Sequence, residues 1–319
     1  MKMVKVREKQ LCKKREYIFG PVPSRRLGRS LGVDLVAFKT CSYDCIYCQL
    51  GRTTNKTTQR KEWVPIDSVI EQLKEKLSSK PDYITLSGSG EPTLYLRLEE
   101  LIFRIKDITD IPIAVLTNGS LLWLLEVRNA LKFADVVAPS LDAGSSQIFQ
   151  YVNRPYRDIT FSRMLEGLVK FRNEYNGKYW LEVFLLAGVT TPEMEVNRLK
   201  TCINAIQPEK VQVNTVSRPP AENFADAVPQ KQLEQITADL YEKAEVIADY
   251  SGVHKQQDFS ARRKDVLTLL KRRPCSIEDV AAGLGLHRNE VVKYVEELCA
   301  EGKINSTPHG QRLYYKASI

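Results

Sequence analysis

Apolar residues recur every three or four positions in some stretches of the chain and run together in others. Residues 66–77 carry Ile66, Val69, Ile70, Leu73 and Leu77 with charges between them, the period of an amphipathic helix. The same spacing predicts helices over 98–105, 121–132, 161–175, 192–206 and 230–250. Between them lie short stretches rich in apolar residues at 31–38, 83–86, 111–117, 135–142, 179–186 and 210–217, each the length of a buried strand. Strands alternating with helices predict parallel pairing and right-handed crossovers. Counted from residue 31, the pattern is α/β, a partial (βα)6 barrel of TIM type, open rather than closed. Chemistry in such barrels sits at the C-terminal ends of the strands.

The two ends of the chain read differently. Residues 17–32 hold two prolines and three glycines, which argues against a helix and for an irregular path. After residue 250 a polar stretch precedes short helices predicted at 261–272, 277–282 and 288–301, with Ser276 as an N-cap. A hairpin then turns at Pro308-His-Gly310. Three helices and a two-stranded wing predict a winged helix-turn-helix. The organisation expected is a basic arm and lead-in segment (1–30), the barrel (31–250), a linker (251–260) and the small domain (261–319). Its third helix, opening at His287, offers Arg288 and Asn289 as base readers. Glu290, Glu296, Glu297 and Glu301 lie on the same helix or at its end, and their charge opposes a phosphate backbone.

Polar residues fall where the barrel rule wants them. After the first strand come Cys41, Cys45 and Cys48. Three thiolates at this CxxxCxxC spacing can hold three irons of a cubane [4Fe–4S] cluster, and with no fourth cysteine nearby one iron stays open. The spacing differs from the paired CxxC units of zinc knuckles; three buried core cysteines are the bland alternative. After the second strand, Gly88-Ser-Gly90-Glu91 lets a ligand approach the backbone. Asn118, Ser140, Asp142, Asn214 and Arg218 follow at later strand ends, where Asn118 and Asp142 also suit helix caps. Glu182 is an acid inside an apolar strand, so it needs a polar ligand or a cation. Arg25, Arg26 and Arg29 are placed to hold a carboxylate or phosphate by forked hydrogen bonds.

The loop Cys41-Ser-Tyr-Asp-Cys45-Ile-Tyr47-Cys48 resembles the signature of the radical S-adenosylmethionine (SAM) superfamily, down to the aromatic Tyr47 before the third cysteine. The resemblance covers residues 17–225. It implies that SAM chelates the open iron through its amino and carboxylate groups. An electron from the cluster then cleaves SAM to methionine and a 5′-deoxyadenosyl radical, which takes hydrogen from a substrate. Ser89-Gly90-Glu91 is similar to the family's Gly-Gly-Glu motif, with serine at the first position, which implies contacts to the SAM ammonium. Ser140 and Asp142 match positions near the ribose or methionine, and Asn214 a position near the adenine. Residues 17–32, 152–155 and 214–222 resemble one clade grouped loosely with the wyosine-forming tRNA enzymes. That implies tRNA or another RNA as a candidate substrate, with Arg154 and Arg218 as anion contacts, and flavodoxin or ferredoxin as the electron donor. The wyosine-forming enzymes carry a second cluster on N-terminal cysteines. Only Cys12 lies in that region here, so one cluster is expected.

Composition adds bounds. The chain has 319 residues, 43% of them hydrophobic, enough for one large core and a small domain. No apolar run approaches the roughly 18 residues of a membrane span, and the charged N-terminus lacks a secretory apolar region, so a cytoplasmic location is expected. Cys12, Cys202, Cys275 and Cys299 stand singly, which is no disulfide framework. A net charge of +8 permits polyanionic or anionic partners. A second class of function, an iron–sulfur, SAM-responsive nucleic-acid-binding sensor, shares the cysteine loop and the small domain but needs no substrate cavity.

Overall fold

The computed structural model describes residues 15–24, 26–248, 263–286, 288–310 and 312–318. The expected basic arm, Cys12, Arg25, the linker, His287 and the Asn289 side chain lie outside the described residues. Strands β1 (Ile18–Ser24) and β2 (Gly28–Val33) open the chain, followed by two-residue strands β3 (Thr40–Cys41) and β4 (Asn55–Lys56). Then come α1 (Ile66–Lys76), β5 (Tyr83–Leu86), α2 (Leu98–Lys106), β6 (Ile113–Thr117), α3 (Leu125–Leu131) and β7 (Val136–Pro139). The alternation continues through α4 (Ser146–Val152), α5 (Phe161–Glu174), β8 (Lys178–Leu185), α6 (Glu193–Ile206), β9 (Lys210–Thr215), α7 (Gln230–Leu240) and β10 (Ala244–Val246). The chain closes with α8 (Arg263–Arg272), α9 (Ile277–Leu284), α10 (Arg288–Ala300), β11 (Ile304–His309) and β12 (Arg312–Ala317).

Eight strands form one sheet in the order β1-β2-β5-β6-β7-β8-β9-β10. All neighbours pair in parallel except β1 with β2. The six strands expected from residue 31 onward are β2 and β5 to β9, and each edge carries one more. Helix faces cover the sheet as their periodicity demands: Ile66, Val69, Ile70 and Leu73 of α1 and Leu199, Ile203 and Ile206 of α6 join one large core. A second, smaller layer (Leu27, Ala114, Val136, Ala138, Trp180) lies on the other face. Arg26, on the turn between β1 and β2, reaches Glu182 on β8 and Gln212 on β9. Such contacts between distant strands require the sheet to curl round on itself.

Three expectations change. Residues 17–32 are not irregular but an antiparallel hairpin with a shifted register between Phe19 and Val22. Prolines are tolerated because β1 is the sheet's edge, and Gly32 leaves room for the Phe19 ring, which an added Cβ would strike. The helix expected over 230–250 stops at Leu240. Residues 244–246 instead pair with β9, and the backbone N–H groups of Val211 and Ile247 find Lys243 and Val213 carbonyls. An unpaired sheet edge outweighs the helical propensity of that segment. Helix α4 was not expected; seven residues give too little periodicity, and its start is fixed by the Ser145 side chain accepting from the Ile148 N–H.

The C-terminal helices fold as the caps predict. Ser276 and Asp279 form a reciprocal capping box, and Gly285 closes α9 at φ 64°. Their apolar faces (Val266, Leu269, Leu270, Val280, Leu284, Val291, Val295, Leu298) share one core with Phe19 and Val22 of β1. The terminal unit is therefore seated on the sheet's edge, and Gly283 lies against Pro23 with no space for a Cβ. Among the described residues no helix is long and apolar enough to cross a membrane.

Candidate active site

The loop after β2 brings Cys41, Cys45 and Cys48 to one wall of a cavity of about 410 Å³. None of the three is in a disulfide. Tyr47 is fixed on two sides. Its ring stacks on Phe184 at 3.9 Å with 10° between planes, and its hydroxyl donates to Asp142 at 2.5 Å. Asp142 also accepts from the Asn153 amide at 2.7 Å and the Phe184 N–H at 3.2 Å. Strand ends β7 and β8 thus clamp the cysteine loop. The same amide of Asn153 lies 3.5 Å from Cys45 Sγ, and the Asn118 amide 3.5 Å from Cys41 Sγ. Asn118 also donates to Ser42 Oγ at 2.9 Å.

Burial sets the electrostatics. It pushes the Cys41 thiol up to about 12, with Glu91 adding to the rise. Burial also raises Cys45, helped by Asp142, and Cys48, against backbone donation from Leu50 and the nearby charge of Lys39. Asp142 is pushed up to about 6, by burial first, against the hydrogen bonds of Tyr47 and Asn153.

Glu91 serves the scaffold more than expected. One carboxylate oxygen accepts from Thr93 N–H, Thr93 Oγ1 and Thr117 Oγ1, and the other from the Asn118 N–H at 2.8 Å. The acid ties the end of β5 to the end of β6 and leaves little acceptor capacity for a ligand. Gly90 cannot carry a side chain, since its Cβ would meet the Thr40 carbonyl. Ser89 is held by Asp34, through its N–H at 3.0 Å and its hydroxyl at 2.7 Å. Arg272 of α8 then pairs with Asp34 and donates to Ser89 Oγ at 2.9 Å. Ser140 and Asn214 line the same cavity, and Asn214 donates to Glu182 at 3.1 Å. Glu182 finds the cation its position demanded in Arg26, at 2.7 Å.

The arginines expected to bind substrate separate into groups. Arg218 lines the cavity and is buried, and Arg26 lines it while paired with Glu182. Arg29 does not reach it. Its side chain donates to the Ser79 carbonyl and its N–H to Asp82, both before the start of β5, at the opposite end of the strands. Arg154 is also outside the cavity lining, paired with Glu222 at 2.6 Å. Arg25 lies outside the described residues. Sequence reasoning missed Asn153, Asp34, Lys39, Arg272 and Arg273. Lys271-Arg-Arg273 is a basic run, but nothing linear places it beside residue 89.

The model of the radical SAM superfamily matches residues 35–197. The UPF0026 protein of Methanocaldococcus jannaschii is 32% identical over 311 residues, covering 94% of this chain and 96% of that protein. The UPF0026 protein of Helicobacter pylori strain J99 is 34% identical over 307 residues, with 94% and 97% covered. A Brachyspira hyodysenteriae protein named GTPase Obg is 37% identical over 311 residues, covering 96% of this chain. The match spans only 46% of that longer protein. Among solved structures, a radical SAM methyltransferase from Sphaerobacter thermophilus superposes with a TM-score of 0.52 at 17% identity, over 68% of this chain and 66% of that one. Streptococcus suis SuiB bound to its precursor peptide SuiA gives 0.52 at 14% identity, over 70% and 52%. At such identities the likeness is one of fold. The mostly parallel sheet resembles the partial barrel of these enzymes, and the chain belongs to the radical SAM superfamily as an enzyme of its UPF0026 family.

Proposed function

We propose that Cys41, Cys45 and Cys48 hold a single [4Fe–4S] cluster and that SAM binds beside it in the cavity, for radical chemistry on a substrate admitted from above. Membership of the superfamily implies the cluster and SAM; the assignment to these residues is ours. The observation that carries it is the convergence of all three thiols with Ser89, Gly90, Asn118, Ser140, Asp142 and Asn214 on one cavity.

The residues fit the group. Among the described residues no three His, Cys, Asp or Glu side chains meet at the point a single ion needs, whereas a cubane takes each thiolate at a different iron. Neutral buried thiols lose their protons on metal binding. Backbone donation from Tyr43 to Cys41 and from Leu50 to Cys48, and the amides of Asn118 and Asn153, then stabilise sulfur charge. When bound, the cluster and SAM supply reductive cleavage of the sulfonium to a 5′-deoxyadenosyl radical that abstracts hydrogen.

This chain's own residues supply placement. Ser89, fixed by Asp34 and Arg272, and Gly90 present the β5 strand end to a ligand. Asp142, Ser140 and Asn214 face it from the β7 and β9 ends. Phe184 and Tyr47 exclude water beside the cysteine loop.

We assign the terminal unit a winged-helix fold and a role as part of the site's wall. Tyr314 donates to the Ser217 carbonyl at 2.6 Å and Lys316 to the Leu50 carbonyl at 3.3 Å, so the wing is turned toward the cavity. The exposed face of α10 carries Glu290, Glu296 and Glu297, which disfavours major-groove docking and with it the sensor reading. RNA or tRNA, or otherwise a small molecule or peptide, is retained as the substrate reached through the cavity, and flavodoxin or ferredoxin as the donor. Anaerobic reconstitution followed by EPR of the reduced protein tests the assignment. A cubane signal that changes on adding SAM is expected; a signal indifferent to SAM would contradict it.

A further inference from the structure

We propose that Lys39 and Lys316 raise the reduction potential of the cluster by holding two positive charges against the turn that follows Cys48. The inference rests on the cluster assignment above and names the residues that ease entry of its one electron. The turn runs from Cys48 to Gly51 and is closed by the Gly51 N–H donating to the Cys48 carbonyl at 3.0 Å. Lys316 of β12 donates through Nζ to the Leu50 carbonyl at 3.3 Å. Lys39 lays its Nζ over the next residue, 3.1 Å from where a Cβ on Gly51 would stand. Its backbone is pinned in the left-handed region at φ 57°. There its N–H donates to the Ser89 carbonyl at 2.7 Å, and its carbonyl accepts from Thr54 and Asn55 at 3.2 and 3.1 Å. Two ammonium groups, one from the barrel and one from the wing, thus stand at consecutive residues of a turn whose first member is a cluster ligand.

The other charges around this turn are matched. Arg52 pairs with Glu222 at 2.7 Å. Arg218 reaches the turn through Gln49 at 3.4 Å and stands 3.9 Å from Asp279. Asp44, the acid that acts on Cys48, accepts from the Thr53 N–H at 2.7 Å and lies 4.0 Å from Arg154. Lys39 and Lys316 pair with no carboxylate among the described residues. Like charges brought this close repel, and burial and then the Lys39 charge hold Lys316 below the usual lysine range. A cubane on three thiolates offers what the two lysines lack. It leaves the site net negative, and reduction adds one more negative charge. Net charge and hydrogen bonding around the sulfurs set such potentials, and partly buried charges are screened less than surface ones. Because Lys316 belongs to the wing, the potential depends on the terminal unit being seated.

The test is an EPR-monitored redox titration of the full chain, reconstituted anaerobically and reduced with dithionite, without SAM. Lys316→Gln keeps a donor for the Leu50 carbonyl but removes the charge, whereas Lys316→Arg keeps the charge. Lys39→Gln repeats the comparison from the barrel side and carries it alone if Lys316→Gln unseats the wing. Lys170→Gln, on the exposed face of α5 beside Glu166, is the remote control. Iron and sulfide per chain confirm that each sample is loaded. The expected result is a reduction equilibrium about tenfold less favourable in Lys316→Gln and in Lys39→Gln, a downward shift of about 59 mV for one electron. The double variant shifts further, and Lys316→Arg and Lys170→Gln stay at the wild-type value. A loaded cluster whose potential ignores both glutamine variants, or a Lys316→Arg that shifts as far as Lys316→Gln, overturns this proposal and leaves the ligand assignment standing. A wild type that takes up no cubane overturns both, and its iron content shows it before any potential is measured.

Discussion

Arg26 and Glu182 meet at 2.7 Å across the curled sheet, with side chains only 11% and 15% exposed. One comes from the turn before β2 and the other from the middle of β8, four strands away in the sheet order. The pair, with Gln212 and Asn214 as further partners, links the two halves of the sheet. Removing one member strands a buried charge. Glu182→Ala is expected to lower unfolding free energy by about 3–5 kcal/mol, and Arg26→Met with Glu182→Leu to recover much of it. Urea denaturation of the single and double variants checks this; a single variant within 1 kcal/mol of wild type, on the order of a surface pair, contradicts it.

The cluster ligands separate cleanly from the other thiols. Cys45→Ala is expected to lose the cluster, whereas Cys202→Ala, buried in the α6 face of the large core, keeps full iron and sulfide per chain. Colorimetric iron and sulfide determination after anaerobic reconstitution decides it. A complete cluster in Cys45→Ala means the ligand set is wrong.

Asn153 donates to both Cys45 Sγ and Asp142. Hydrogen bonds to cluster sulfur raise the reduction potential by stabilising added negative charge. Asn153→Leu should therefore shift the midpoint potential downward in an EPR-monitored redox titration, and weaken cluster retention by about 10–100-fold, the usual scale for such supporting contacts. An unchanged potential would mean the amide acts only on Asp142.

Asp142 gives a pH signature. Its folded value, about 6, lies above its ordinary 3.8, so the folded state holds the proton more tightly than the unfolded chain. The resulting stability is fully present below the ordinary value and is lost as pH rises through about 6. The loss is bounded at about 3 kcal/mol for a two-unit rise. Between pH 4 and 6, apoprotein stability measured against Asp142→Asn should fall in the wild type relative to the variant, then level off. A difference that stays flat across this window contradicts the burial argument.

Much of the fold was legible because periodicity reports burial. The helices at 66, 98, 161 and 192 and the strands at 83, 179 and 210 end within a few residues of their expected bounds. What failed was decided by pairing between distant residues. Residues 244–246 became strand because β9 offered an open edge, and residues 18–24 because β2 did. The site divides in the same way. Cys41, Cys45, Cys48, Ser89 and Asp142 were readable from a local motif or a strand-end position. Arg29 was misplaced because its register puts it at the far end of the strand. The placement of Arg272 and Arg273 was not legible because it depends on α8 docking against β1.

The central claim is reductive SAM cleavage at a cluster held by the loop from Cys41 to Cys48. The most direct measurement supplies dithionite and SAM to the anaerobically reconstituted protein and quantifies 5′-deoxyadenosine and methionine by mass spectrometry. The account predicts both products in equal amounts from wild type and neither from Cys45→Ala. An intact cluster that binds SAM yet yields no 5′-deoxyadenosine, with or without candidate substrates, would contradict it.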